Sequence, residues 1–137
     1  MATAKENKER YFEGVGRRKT ATARVRITKA RKDSFKINDK TLDAYFPTLE
    51  MRERVKKALA KIGEHGTFAV TVKSSGGGIS GQTDAVIMGL GRAIVDHKPE
   101  TKPDMKKAGL MTRDPRAKER RKFGLKKARK SPQWSKR

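Results

Sequence analysis

The stretch Thr20–Lys29, TATARVRITK, alternates without a break. Ala21, Ala23, Val25 and Ile27 are apolar, and Thr22, Arg24, Arg26 and Thr28 between them are polar or basic. Successive side chains of a strand point to opposite faces, so this pattern predicts a half-buried β-strand with one apolar and one cationic face. Upstream, YFEGVGRRK (11–19) reads as a short strand broken by Gly14 and Gly16, with Arg17, Arg18 and Lys19 at a hairpin tip. Downstream, RKDS (31–34) is a turn, and FKIN repeats the alternation with Phe35 and Ile37 inward until Asn38-Asp39-Lys40 ends it. Three short strands with tight connections predict an antiparallel meander.

Further along, MRERVKKALAKI (51–62) places Met51, Val55, Ala58, Leu59 and Ile62 at helical spacing on one face, with Gly63 and Gly66 as the stop. TFAVTVKS (67–74) alternates again, with Phe68, Val70 and Val72 on one side. GGGISGQ (76–82) is a loop in which Ser80 is expected to cap the next helix, TDAVIMGLGRAIVDH (83–97). That helix is apolar on most faces and should be the buried one. Gly89 and Gly91 cost helix propensity and make sense where another backbone packs close. Pro99 and Pro103 then break the chain, and DMKKAGLM (104–111) is expected as one short helix. The body is therefore mixed α and β, and 137 residues suggest one domain.

Charge divides the molecule. The chain has 36 Lys+Arg against 15 Asp+Glu, a net of +21. Residues 102–137 hold 15 of the basic and 3 of the acidic residues, so about a quarter of the chain carries more than half of the excess. Three parts are expected: a variable segment 1–10, a globular body 11–101, and a basic C-terminal extension 102–137. A chain this basic repels itself, and nucleic acid is the commonest polyanion that relieves it. Solubility alone is served by far less charge. From Arg113 onward the only large apolar residues are Phe123, Leu125 and Trp134, too few to offset the entropy of ordering, so alone the tail should be disordered. An arginine-rich segment of this kind folds on a nucleic-acid partner. Phe123 and Trp134 suit stacking on bases, or a groove at another protein. Composition does not separate RNA from DNA.

Other chemistry finds little support. With no cysteine, a disulfide framework and thiol-ligated metal are excluded, and a reducing compartment is fitted. No apolar run approaches the roughly 18 residues of a membrane span. The start, MATAKENKER, lacks an apolar stretch for a secretory signal and carries Glu6 and Glu9, unusual in an organelle transit peptide, so the expected location is cytoplasmic. Gly76-Gly77-Gly78-Ile79-Ser80-Gly81 matches the dinucleotide pattern G-x-G-x-x-G between a strand and a helix. Such a site needs a second parallel strand ending in an acidic residue, whereas here proline and a basic tail follow the helix. The loop then serves either close approach of another stretch of chain or contact with a phosphate. His65 and His97 have no partner at metal-ligand spacing and read as surface or capping residues. No Ser-His-Asp or paired-carboxylate arrangement stands out, so no enzyme and no cofactor are expected. Arg17, Arg18 and Lys19, with Arg24 and Arg26 on the strand face, form a patch suited to a phosphate backbone.

Three blocks, GVGRRKTATARVRI, SSGGGISGQTDAVIMGLGRAIV and GLMTRDPRAKERRKFGLKKARKSPQWSKR, closely resemble the bacterial form of the family of the ninth protein of the small ribosomal subunit. The resemblance runs from about Tyr11 to the end. It implies a structural part of the ribosome with an α+β body, a two-layer sandwich of a four-stranded, mostly antiparallel sheet with helices on one face, and a long extended basic tail. It further implies binding in the subunit head to the 3′ major domain of the ribosomal RNA, beside neighbouring ribosomal proteins. Residues expected to contact ribosomal RNA are Arg17, Arg18, Lys19, Arg24 and Arg26 in the body. In the tail they are Arg113, Arg116, Arg120, Arg121, Lys122, Lys126, Lys127, Arg129 and Lys130. The resemblance also implies that Ser135, Lys136 and Arg137 touch the anticodon stem-loop of the transfer RNA in the peptidyl site.

Overall fold

The computed structural model describes residues 10–136. Arg137 and residues 1–9, nearly all of the expected variable segment, lie outside the described residues. The elements run β1 (Tyr11–Arg18), β2 (Ala21–Lys29), β3 (Ser34–Ile37), α1 (Leu42–Tyr45), α2 (Leu49–Gly63), β4 (Phe68–Ser75) and α3 (Ile79–His97). A 3-10 turn (Pro99–Thr101) and α4 (Lys102–Lys107) complete them. The fold is α+β, built on one mixed four-stranded sheet in the order β1-β2-β4-β3.

The alternation read in β2 holds residue by residue. Ala21, Ala23, Val25 and Ile27 are buried, while Arg24 is exposed and Thr22, Arg26 and Thr28 are half-buried. Phe68, Val70 and Val72 of β4 and Ile37 of β3 join them on the inner face, beneath α2 and α3. α3 is the buried helix, with Ala85, Val86, Leu90, Ala93 and Ile94 fully enclosed.

The expected meander is not what forms. β2 pairs antiparallel with β4, and β3 lies outside β4, parallel to it. The reason lies in the connection. Residues 38–67 hold α1 and α2, and a crossover of that length carries the chain over the sheet and returns it in the same direction. β4 is twice as long as β3, eight residues against four, and takes the interior position. The short β3 is left at the edge, where a short strand limits unwanted pairing.

Nor do Gly14 and Gly16 break β1, which pairs with β2 along its whole length. Both face α3. A Cβ on Gly14 would lie 2.5 Å from the backbone nitrogen of Ala93, and one on Gly16 would lie 2.6 Å from that of Gly89. Gly89 answers from the helix, where a Cβ would lie 2.6 Å from Val25 Cγ2. Three glycines thus bring a strand and a helix into backbone contact. Gly91 packs likewise against Leu110.

Three boundaries differ from expectation. α3 begins at Ile79 with extended Gly78 as its N-cap, so Ser80 lies inside the first turn and does not cap it. The break before Pro99 falls where expected, with α3 ending at His97, but Pro99 and Pro103 also start short helices, because a proline in the first turn lacks only an amide hydrogen that would be unpaired there. α1, four residues capped by the Thr41 hydroxyl accepting from Ala44 N, was too short to show periodicity. Met105 of α4 and Leu110 are buried, so the core reaches past the point where the basic excess begins. Among the described residues from Thr112 to Lys136 there is no helix or strand.

Candidate nucleic-acid interface

Among the described residues no helix covers the second face of the sheet. It presents Arg17 from β1, Arg24 and Arg26 from β2, Lys73 from β4 and Lys36 from β3. Arg24 stands directly opposite Lys73, and Thr71 lies between Arg26 and Lys36 in register. Like charges set opposite one another destabilise an antiparallel pair. One carboxylate offsets them: Glu13 accepts from Arg26 Nε at 2.8 Å and lies 3.3 Å from Arg24 Nε. The Glu13 hydrogen bond pushes the Arg26 guanidinium pKa further up, and the same guanidinium sits over the Tyr11 ring at 4.6 Å. Lys36 and Lys73 have no ion pair among the described residues. Arg24, Arg26, Lys36, Thr71 and Lys73, with Asn38 and the carboxylate-bearing Asp39 just past the end of β3, line a shallow cleft of about 260 Å³. Sequence reasoning passed over Lys36 and Lys73, although the alternation that placed Phe35, Ile37 and Val72 inward also places these two outward.

The hairpin cations separate into two kinds. Arg17 and Lys19 are exposed, with Lys19 in the turn at φ 54°. Arg18 is turned inward, its side chain only 14% exposed, between Asp84 of α3 and Asp114.

The glycine loop is held from within. Asn38 acts as an extra strand residue: its side chain accepts from Ser74 N at 3.0 Å and donates to Ser74 O at 2.9 Å. Asn38 Nδ2 also reaches the Tyr45 hydroxyl, which donates to Gln82 Oε1, and Gln82 Nε2 donates to Gly76 O at 3.0 Å. Gly76 and Gly77 take positive φ beside Thr20 and Ala21. The backbone that comes close to this loop is thus the chain's own β1–β2 turn. α3 leads into a proline turn rather than a parallel strand, so the dinucleotide pattern has no sheet to complete it.

Along the C-terminal segment, Arg113, Arg116, Arg120, Arg121, Lys122, Lys126, Lys127, Arg129 and Lys130 are all exposed. Three of them are paired locally: Arg116 with Asp114, and Lys122 and Arg129 with Glu119. Phe123 and Trp134 are large, apolar and exposed. Ser135 and Lys136 are exposed as well, and Arg137 lies outside the described residues. His97 is half-buried rather than simply exposed. Its ring lies 4.5 Å from Phe12, tilted, and 5.4 Å from Phe68, edge-on, and burial with nearby Lys29 and Lys98 pushes its pKa down. Among the described residues no group of His, Asp or Glu is arranged to hold a metal, and no helix is long and apolar enough to cross a membrane.

A compact α+β body with one uncovered cationic sheet face, continued by a basic segment, defines a class of small, strongly basic, one-sided proteins. A family profile described as ribosomal protein S9/S16 matches residues 16–137, and the chain belongs to that family. It is 45% identical over 129 residues to the small ribosomal subunit protein uS9 of Mycobacterium avium, covering 94% of this chain and 77% of the relative. It is 46% identical over 129 residues to uS9 of Mycolicibacterium paratuberculosis, with the same coverage. For uS9 of Mycobacterium tuberculosis the identity is 45%, covering 94% of this chain and 85% of the relative.

Proposed function

We propose that this chain is a structural constituent of the small ribosomal subunit that binds ribosomal RNA with its body and threads a basic tail through RNA toward the peptidyl site. The observation that carries the reading is the extent of the family match, which includes the whole basic C-terminal segment to residue 137. That segment is therefore part of what the family shares and not an appendage of this chain. In this reading the body lies on the 3′ major domain in the subunit head, beside other ribosomal proteins in the cytoplasm. Arg17, Lys19, Arg24 and Arg26, joined by Lys36 and Lys73, meet phosphates. Arg113, Arg116, Arg120, Arg121, Lys122, Lys126, Lys127, Arg129 and Lys130 meet the RNA along the tail. Ser135, Lys136 and Arg137 reach the anticodon stem-loop of the transfer RNA. Contacts from such side chains to phosphate and sugar carry no sequence information, which suits a site that accepts every transfer RNA.

The test is sedimentation of the tagged protein from a lysate through a high-salt sucrose gradient. Weak polyelectrolyte contacts are lost there, because each neutralised phosphate steepens the dependence on salt. Co-migration with the small subunit is expected. Recovery at the top of the gradient, or with DNA, would overturn the reading.

A further inference from the structure

Arg18 differs from every other cation of the hairpin. Its Nη1 lies 2.6 Å from Asp114 Oδ1 and donates to the Asp114 carbonyl at 3.2 Å, while Nε lies 3.4 Å from Asp84 Oδ2. Asp84 also accepts from Arg54 of α2. Asp114 folds its own neighbour onto itself: Arg116 donates to it from the backbone at 3.0 Å and from the guanidinium at 2.8 Å. Asp114 is the first residue past the core that is fixed to the body by side chains. Core packing ends with Leu110 and the half-buried Met111, and Thr112 and Arg113 are exposed. The guanidinium is thus set between two carboxylates, Asp84 acting on Nε through charge at 3.4 Å without a hydrogen bond and Asp114 meeting Nη1 through both its carboxylate and its carbonyl, so the contact has a direction that a single exposed Lys–Asp pair lacks.

We propose that Arg18 is a positioning residue: held on the body by Asp84, it grips Asp114 and fixes the point and direction from which the basic C-terminal segment leaves the fold. This rests on the reading that the segment works on RNA, and it gives an acidic residue in a basic tail a purpose. A tail rooted in one direction loses less orientational freedom on binding than one that swings from Met111. Asp114 repels phosphate as a charge and helps RNA binding as an anchor, so the two roles predict opposite effects of its removal.

The full chain lacks cysteine, so two labels go in cleanly at the exposed positions Ala60→Cys on α2 and Ala117→Cys in the tail. Double electron–electron resonance between spin labels at these sites reads the spread of distances in the free protein. A narrow distribution is expected, and Asp114→Asn and Arg18→Met each broaden it about twofold, as a freed flexible root would. Asp114→Asn lies outside the core, so a circular dichroism melt close to that of the parent accompanies it. A distribution already broad in the parent, or one unchanged in both variants, overturns the proposal. In a second arm the unlabelled proteins bind a transcript of the 3′ major domain of small-subunit ribosomal RNA. Asp114→Asn is expected to weaken binding about three- to tenfold although it adds net positive charge. Tighter binding would show a mere charge effect and overturn the positioning role. If the parent itself shows no salt-dependent binding to this RNA, the functional reading fails while the distance arm still decides the anchor.

Discussion

Gly16 and Ala85 meet backbone to backbone. A Cβ on Gly16 would fall inside the van der Waals shell of the Ala85 carbonyl oxygen. The closest neighbours are main chain, and a main chain inside both a sheet and a helix yields little. Gly16→Ala must therefore push β1 off α3, and it should cost about 3 kcal/mol or more. Gly63, the last residue of α2, has nothing within 4 Å of its would-be Cβ. Gly63→Ala should stabilise by about 0.5–1 kcal/mol through helix propensity and the unfolded chain. Urea denaturation of the two variants checks both signs at once.

Asn38 supplies the rung that the sheet lacks between β3 and the end of β4. Asn38→Ala removes both bonds to Ser74, leaving a buried amide and carbonyl without partners, and puts alanine at φ 45°. A loss of about 2–4 kcal/mol is expected. The Asn38 amide also touches Tyr45, which leads through Gln82 to Gly76. Amide exchange at Gly76–Gly78 should therefore quicken in this variant more than exchange in β1.

How much of this was legible beforehand depends on how local each cause is. The inward residues of β2 are fixed by neighbours two positions away, and all four are buried as the alternation required. The place of β4 between β2 and β3 is not a local matter. It depends on the crossover through α1 and α2, and the four-residue α1 leaves no periodic trace. Gly14 and Gly16 look like breakers in a strand until Gly89 is known to lie against them. Arg18 is the sharpest case. Between Arg17 and Lys19 it reads as one more cation, and only the fold brings Asp84 and Asp114 to it. Asp114 in turn was a minor deduction from a basic run. In the structure the Arg116 side chain, then the Arg116 amide, and to a lesser degree Arg18, hold its carboxyl well below the usual carboxylate range.

His97 should make stability fall on mild acidification. Its folded pKa lies below the ordinary 6.5, because burial and then Lys29 and Lys98 disfavour the imidazolium. Between the two values the unfolded chain binds the proton and the folded one resists it. Stability is thus full above 6.5 and declines as pH falls from there toward the folded value. The melting temperature should drop across that window, and His97→Gln should flatten the drop. A parallel slope in both proteins would assign the effect elsewhere.

Removing Ser135, Lys136 and Arg137 together should leave the body folded and the protein able to enter the small subunit, since the described residues of this end, Ser135 and Lys136, are exposed and outside the core. Occupancy of the peptidyl site by transfer RNA should weaken, by about 1 kcal/mol per lost exposed contact, or about fivefold each. Filter binding of transfer RNA to particles carrying the truncated chain measures it. Unchanged occupancy would remove the tip from the functional reading.

Lys73 sets stability against binding. It stands opposite Arg24 on the open sheet face, and Glu13 is shared by Arg24 and Arg26 but does not reach Lys73 in any ion pair among the described residues. In the free protein Lys73→Gln removes a cross-strand repulsion and should stabilise by a few tenths of a kcal/mol, up to about 1. Under the proposed function the same change removes a phosphate contact, and the slope of log affinity against log salt should then shrink by about 0.7–0.9. Lys36→Gln, across Thr71 with no cation directly opposite, should reduce the slope equally and leave stability nearly unchanged. Denaturation midpoints and salt titrations on the same three proteins test the pair of effects. If Lys73→Gln gains stability and keeps the full salt slope, the β2–β4 part of the open sheet face is not where the body meets RNA, and Arg17 at its β1 edge, Lys19 and the tail must carry that contact.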